Sequence, residues 1–422
     1  YLRKYGDFSM WDIYRAELPL YSLITPKMSG EMMQSLVQMY KEGGWMPIFP
    51  CWNSYTAAMI GDHASAALAD AYVKGIRNFD AAKAYEGMRL NAFSTPYLAK
   101  DYRDGKGRRA IRSYMDNGYI PLEDMVEEAF HTNEQTSRTL EYAFDDYAVA
   151  QMAKALHDSC QDATLRQKYL EDYNDLMRRS ENWRNVINPA TGWADGRYEN
   201  GKWENNEDLV HRKSYITEGA TCHYTWYVPQ NPEGLFEVIR NSKPMDKQEK
   251  QIEKMERKME KKGEIPVRNE KVIARLDKMF DNGWYWHGNE PCHQVAYLYD
   301  AAGAPEKTQE RVHHILQTEY NDTPGGLSGN DDAGQMSAWY VFSSIGFYPV
   351  CPGTPYYYIG TPSFDKVTLN LENGRKFILS ADRQHIDDYL IQSVTLNGKP
   401  LGDYRLSHQQ ILTGGELHFQ MK

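Results

Sequence analysis

Cysteine is scarce in this chain. There are five among 422 residues, at positions 51, 160, 222, 292 and 351, and no two form a CxxC pair. That count and spacing exclude a disulfide-dense scaffold and argue against a zinc knuckle. They fit small buried residues. Long apolar runs are missing as well; no segment approaches the roughly 18 residues needed to span a bilayer. An excess of basic charge is also absent. Lys and Arg number 48 and Asp and Glu 58, so the formal charge is 48 − 58 = −10 with His neutral. A dedicated nucleic-acid binder would carry a basic surface, so that class is disfavoured. The chain has no GxSxG elbow, no P-loop, no HExxH helix and no contiguous DxDxDG calcium loop. Any metal site must therefore be assembled from separate loops. Cys222-His223 and Cys292-His293 are immediate neighbours, which seldom meet productively as nucleophile and base. The chain opens on YLRKYGDFSMWD, with neither an initiating Met nor a signal segment. The expectation is a mature or excised part of a longer protein.

Aromatic residues are abundant. They make up 13% of the chain, with 31 Tyr and 10 Trp against only 13 Phe. Tyr and Trp join an apolar face to a polar tip, which suits a sugar-binding cleft as well as the rim of a large core. Composition alone leaves both readings open. Hydrophobic residues at 41% and charged residues at 25% are ordinary for a globular protein, and the length allows one large unit or two or three smaller ones.

Residues 1 to about 350 read as helices joined by long loops. Ala64, Ala67, Leu68, Ala71 and Tyr72 recur at helical spacing, with Asp62 or its neighbour as a possible N-cap. Leu140, Phe144, Ala148, Met152 and Ala155 repeat the pattern. Further helices are expected over 29–42, 122–130, 162–180, 246–262, 269–280, 291–302, 308–318 and 334–345. The charge run at 246–263 reads as a solvated surface helix, because Glu interleaves Lys. Long loops over 44–62, 92–119, 185–215 and 320–333 are the kind that usually carry function. After residue 355 the texture turns to short β runs (KVTLNL, FILSA, YLIQSVTLNG, ELHFQ), with Asn397-Gly398 and Gly414-Gly415 as hairpin signals. Many helices joined by loops suit an α/α barrel. The expected architecture is a mainly α chain, an (α/α)6 barrel over 1–354, and a small antiparallel β unit over 355–422.

Four polar clusters sit in Gly- and aromatic-rich loops. The first holds Trp11, Asp12, Tyr14 and Arg15; the second holds Trp52 and Asn53, then Gly61, Asp62 and His63. The third is Tyr215 to Gly219 with Glu218 at its centre. The fourth pairs His287-Gly288-Asn289-Glu290-Pro291 with Gly329-Asn330-Asp331-Asp332. Glu218 among aromatics could be a desolvated proton donor, or a helix-terminal Glu making capping contacts. Asp331 and Asp332 point in different directions, so one can cap while the other holds an ion or activates water. Asn289 and Glu290 offer oxygen donors of the sort Ca²⁺ takes.

At these residues the chain resembles glycoside hydrolase family 92, the calcium-dependent α-mannosidases. The segments that carry the resemblance are FSMWDIYR, IFPCWNSYTAAMIGDH, YITEGATCHYTWYVP, WYWHGNEPCHQ and GLSGNDDAGQMSAWYVFSSIGFYPVCPGTPYY. Trp11, Trp52, Tyr215, Trp226, Trp284, Trp286 and Trp339 all fall within or beside them. The resemblance implies an exo-acting, inverting hydrolase of terminal α-mannosides, with Glu218 as general acid and Asp332 as general base. It implies Ca²⁺ near Asn289 and Glu290. It places Trp11, Asp12, Trp52, Asn53, Gly61, Asp62, His63, His287, Asn330 and Asp331 at the substrate. Export to the periplasm or the cell exterior is expected.

Three departures stand out. Asn330 replaces an acid found beside the base in some members, which leaves proton acceptance to Asp332. Gly288 stands where α-1,2-cleaving members carry an acid, which disfavours that linkage. The family's N-terminal β-sandwich has no counterpart here, so the chain resembles the C-terminal portion. Two alternatives remain open: a truncated fragment acting only as a carbohydrate-binding module, and another inverting (α/α)6 glycosidase.

Overall fold

The computed structural model describes residues 3–126, 130–263 and 268–422. Helices dominate as far as Ile345. The longest, Gln135–Ser159, packs against Ala163–Arg179 and against His63–Val73. His63–Val73 is alanine-rich, and nearly every side chain on it is buried, so it can lie close to its neighbours on all sides. Gln135–Ser159 is likewise buried around most of its circumference, as expected for a helix inside a layered assembly rather than on its surface. Outer helices are more one-sided. Glu270–Asp281 buries Val272, Ile273, Leu276 and Met279, and Pro232–Asn241 buries Leu235, Phe236 and Ile239. Local signals fix several starts. Asp162 accepts from Leu165 N, and Asn231 accepts from Gly234 N with Pro232 at the first helical position.

The helices expected from periodicity are present, with exceptions. Ala81–Phe93 and Pro232–Asn241 were not anticipated, nor were Ala99–Arg103 and Ile111–Asn117 inside a presumed loop. The expected helix over 291–302 is instead a chain of short turns, Glu290–Cys292, Val295–Tyr297 and Leu298–Ala301. There Gln294 Nε2 donates to Pro291 O, a local side-chain bond that competes with regular helix. Of the helix expected at 122–130, residues 122–123 form a turn, 124–126 are irregular, and 127–129 lie outside the described residues. The charge run does form the helix Lys247–Lys261, but it is not wholly solvated. Glu249 is buried against Arg275, and Glu253 pairs with buried Lys271 at 2.8 Å. Met255, on the presumed apolar stripe, is exposed.

Among the described residues, three small sheets follow or interleave the helices. Ile187–Asn188 pairs with Trp193–Ala194. Phe347–Tyr348, Tyr356–Ile359 and Arg405–Ser407 form a second sheet, so a strand upstream of residue 355 pairs with the C-terminal segment. The largest sheet orders Lys366–Asn370, Lys376–Asp382, Gly415–Met421, Ile391–Leu396 and Lys399–Pro400. Asn397-Gly398 is the two-residue hairpin expected, with Leu396 opposite Lys399 and both turn residues at positive φ. Gly414-Gly415 is not a hairpin. It links the short helix His408–Leu412 to a strand that runs parallel to Lys376–Asp382, so the sheet is mixed.

Among the described residues, two large buried clusters and a small one around Ile111, Tyr114, Ile120 and Tyr142 make up the core. One of the large pair lies among the helices. The other joins Leu20, Leu23, Val312, Trp339 and Phe342 to Phe377, Leu379, Leu417 and Phe419, so the C-terminal strands share a core with the last helices. Among the described residues, no helix is long and apolar enough to cross a membrane.

Candidate active site

Carboxylates from three distant loops meet at one point. Oxygens of Asp12, Glu290 and Asp332 all lie within 4.8 Å of one another. Asp12 rides on the single helical turn Met10–Ile13, Glu290 opens the turn Glu290–Cys292, and Asp332 opens Asp332–Gly334. Asp12 and Glu290 are buried; Asp332 is half-buried and reachable by solvent. Burial and the neighbouring Asp332 push Asp12 up to about 8. Burial, Asp12 and Asp332 push Glu290 up to about 9. Three like charges at this spacing repel one another unless protons or a cation compensate them. Glu290 Oε1 is buried and has no hydrogen-bond partner. An all-oxygen set with a partnerless buried carboxylate oxygen fits a hard divalent cation such as Ca²⁺.

The adjacent acids divide their work. Asp331 Oδ1 accepts from Ser337 N at 3.0 Å and Ser337 Oγ at 2.8 Å, and so ties down the start of Gln335–Ile345. That leaves Asp332 as the one facing Asp12 and Glu290. Asp332 and Ala333 hold left-handed backbone, with φ of 46° and 58°, a conformation that costs L-residues about 1 kcal/mol each. Glu218 has the same conformation, φ 51°. Thr217 N donates to Ser137 Oγ, and Asn289 Nδ2 lies 3.4 Å from Glu218 O. The amide of Asn289 thus ties the Glu218 loop to the Glu290 loop. Of the two readings of Glu218, the desolvated aromatic pocket is not formed, because the residue is exposed.

The remaining sites expected from sequence fall into two groups. Trp11, Asp62 and His63 form a buried layer, with Asp62 wholly inaccessible. Trp11 Nε1 donates to Glu141 at 2.9 Å. Arg108 Nε donates to Asp62 at 2.9 Å, as does Asn91 Nδ2 at 3.0 Å. Asp62 stands at the N-cap position of His63–Val73 but makes no side-chain cap bond. His63 is clasped by Asp145 at 2.8 Å and Glu141 at 3.2 Å. Burial opposes its charge, yet the two carboxylates outweigh burial and raise it to about 9. Gly61 is required beside it: at φ +83°, an added Cβ would stand 2.2 Å from His63 Nε2. His287 is also buried, bonded to Tyr285 and Tyr320 at 2.7 Å each, and burial pushes it down to about 3.

Other positions are open. Trp52 is 82% exposed, on a left-handed turn that Asn53 shares. Asn53 lines a cavity of about 380 Å³ with Tyr5, Asp7 and Tyr55, which includes none of Asp12, Glu218, Glu290 and Asp332. Asn330 is exposed. Gly288 packs on Gly329; a Cβ at 288 would meet Trp286 Nε1 at 2.8 Å and Gly329 N at 3.1 Å. Sequence reasoning missed Glu141, Asp145 and Asp146. Acids one turn apart beside Leu140 and Phe144, on a helix of otherwise apolar pattern, were the available signal.

Acids gathered from separate loops on a helical scaffold, one of them open to water, are the equipment of a glycoside hydrolase. The family model described as the glycosyl hydrolase family 92 catalytic domain matches residues 1–422, and the chain belongs to that family. It is similar to the structure of the family GH92 alpha-mannosidase BT3965 from Bacteroides thetaiotaomicron, at 33% identity and a TM-score of 0.82, over 99% of this chain and 50% of that one. It is equally similar in fold to the inverting mannosidase BT2199 of the same organism, at 32% identity and TM-score 0.82, over 99% and 53% of the two chains. A protein of Arthroderma benhamiae described as an uncharacterized secreted glycosidase is 29% identical over 97% of this chain and 50% of its own length. The chain thus spans about half the length of these relatives. The shared fold is the helical (α/α)6 toroid with a C-terminal β unit.

Proposed function

We propose that this chain is the catalytic portion of a calcium-dependent, inverting exo-α-mannosidase. The observation that carries the reading is the convergence of Asp12, Glu290 and Asp332 within 4.8 Å, in a family whose solved relatives include an inverting mannosidase. Asp332, the half-exposed member, is the base that takes a proton from the attacking water. Glu218, on the neighbouring loop, protonates the departing oxygen. Its carboxyl is exposed and so open to an incoming sugar. Asp12 and Glu290 hold Ca²⁺, with Asn289 beside them. When bound, the ion supplies a hard positive charge that orients sugar hydroxyls. Trp52 and Asn53 face the substrate, while Trp11, Asp62 and His63 support the site from behind. Gly288, closed in by Trp286 and Gly329, leaves no acid to meet an α-1,2-linked sugar, so other linkages are favoured.

The organisation proposed is a barrel over 1–354 and a β unit over 355–422. A β-sandwich elsewhere in the longer protein completes the leaving-group side. Secretion is consistent with the relative described as secreted. NMR of the first product formed from an α-mannoside tests the mechanism. β-Mannose is expected, with activity lost in EDTA and restored by Ca²⁺. α-Mannose as first product would sink the single-displacement step, and indifference to chelation would remove the ion.

A further inference from the structure

One buried carboxylate connects the segments that carry the proposed chemistry. Glu141 lies on Gln135–Ser159 with no solvent exposure. Its Oε1 accepts from Trp11 Nε1 and from the Tyr224 hydroxyl, each at 2.9 Å, and its Oε2 lies 3.2 Å from His63 Nε2. Trp11 adjoins Asp12. Tyr224 ends the short helix Thr221–Tyr224, just past Glu218 in the chain. His63 opens His63–Val73, stacks on Tyr14 at 4.0 Å, and is held on its far side by Asp145, one turn further along the helix of Glu141. The Met10–Ile13 turn has little hold of its own, being four residues long with no side-chain bond from its N-cap Ser9.

We propose that Glu141 is a positioning residue that fixes Asp12 relative to the Glu218 segment through Trp11 and Tyr224. It does not touch substrate. Buried groups that orient a metal-facing carboxylate typically change affinity or activity by about 10- to 100-fold when removed. The inference rests on the mannosidase reading only for its activity arm.

The test compares Glu141→Gln, Tyr224→Phe and their double variant with the unaltered chain. Ca²⁺ affinity is read from the calcium-dependent rise in melting temperature, and kcat and KM are read on an aryl α-mannoside. Glu141→Gln should fold cooperatively, bind Ca²⁺ about tenfold more weakly and lower kcat about tenfold, with KM much less changed. Tyr224→Phe, which deletes one hydroxyl donor, should weaken binding less, and its effect should vanish in the Glu141→Gln background. If Glu141→Gln does not fold, a loss of Ca²⁺ affinity in Tyr224→Phe still supports the inference, and unaltered affinity there overturns it. Asp172→Asn is the structural control. It breaks another ion pair, between buried Asp172 and half-buried Arg89 at 2.7 Å, and should lower the melting temperature yet leave affinity and kcat alone. Unaltered Ca²⁺ affinity and kcat in a folded Glu141→Gln, additive effects in the double variant, or an equal loss in Asp172→Asn would each overturn the proposal. So would a failure of the unaltered chain to bind Ca²⁺. Weakened Ca²⁺ binding in Glu141→Gln without any mannose release by the unaltered chain would instead overturn the mannosidase reading and leave the positioning role standing.

Discussion

Glu218 and Asp332 share a backbone peculiarity at the residue scale: both are non-glycine residues in left-handed conformation. Strain of this kind persists where surrounding bonds over-determine it, and it clusters at functional sites. For Glu218 the restraints are Ser137 beneath Thr217 and the amide of Asn289. The side chain itself is free in solvent, so replacing it disturbs little else. Glu218→Gln should therefore leave stability within about 0.5 kcal/mol. It should lower turnover of an unactivated mannobioside by at least about 100-fold. An activated aryl mannoside, whose leaving group needs no proton, should suffer far less. Parallel kinetics on the two substrates decide this, and equal losses would remove the acid role.

The element scale shows why two consecutive acids have different fates. Asp331 spends its carboxylate on Ser337, in the first turn of Gln335–Ile345. Asp332, one residue on, turns into the carboxylate cluster. Asp331→Ala should cost about 1 kcal/mol of stability through the lost cap and change activity only a few-fold. Asp332→Asn should do the reverse. It relieves repulsion with Asp12 and Glu290, so stability should hold or rise, while turnover falls by at least about 1,000-fold. Urea unfolding paired with kinetics on both variants checks the division of labour; a similar activity loss in both would contradict it. The residues alone indicated that one acid could cap and the other act; only the family resemblance pointed to Asp332 as the acting one. Cap geometry depends on where Ser337 stands, and that is set by the kink at Ala333 and Gly334.

Legibility tracked the range of the interactions. Short-range signals read well: the Asn397-Gly398 turn, the apolar stripes and the acids of the clustered loops are all local. The hidden features depend on partners far along the chain. Asp12 reads from the sequence only as a substrate residue, because its proximity to Glu290 and Asp332 spans some 280 residues or more. Glu141 escaped notice because a buried acid on a helix looks exposed until its donors, Trp11 and Tyr224, are brought to it. The aromatic excess divides in the same way. Trp11, Trp226 and Trp339 are core, whereas Trp52 and Trp286 are open to solvent. The core reading of the composition therefore holds for the buried group. The parallel pairing of Gly415–Met421 is likewise invisible locally, since a Gly-Gly pair signals a turn and not the direction of the strand beyond it.

Across the whole molecule, buried histidines contribute to both ends of the pH range in which the fold is stable, and two of them show the opposite senses. His63 lies among the helices and His408 in the C-terminal unit. His63 faces Asp145, Glu141 and Tyr14, and is raised from 6.5 to about 9. The folded state therefore binds its proton more tightly than the unfolded chain does. The resulting stabilisation is full below pH 6.5 and is lost as pH climbs through 9, amounting to about 3 kcal/mol. His408 behaves in the opposite sense. Its Nδ1 meets the Tyr357 hydroxyl at 2.9 Å. Burial, helped by the charge of Lys74, pushes it down to about 3. The unfolded chain takes up that proton first, so stability present above pH 6.5 is lost as pH falls towards 3, on the order of 4 kcal/mol. Melting temperature should accordingly peak between these limbs and fall on both sides. His63→Gln should lower the peak and make the alkaline limb shallower while leaving the acid limb alone; His408→Gln should make the acid limb shallower, with buried His287 carrying part of what remains. Thermal unfolding from pH 4 to 10 on the three proteins separates the two contributions. An alkaline limb that keeps its full slope in His63→Gln would show that the Glu141–His63–Asp145 cluster does not carry a charged imidazole.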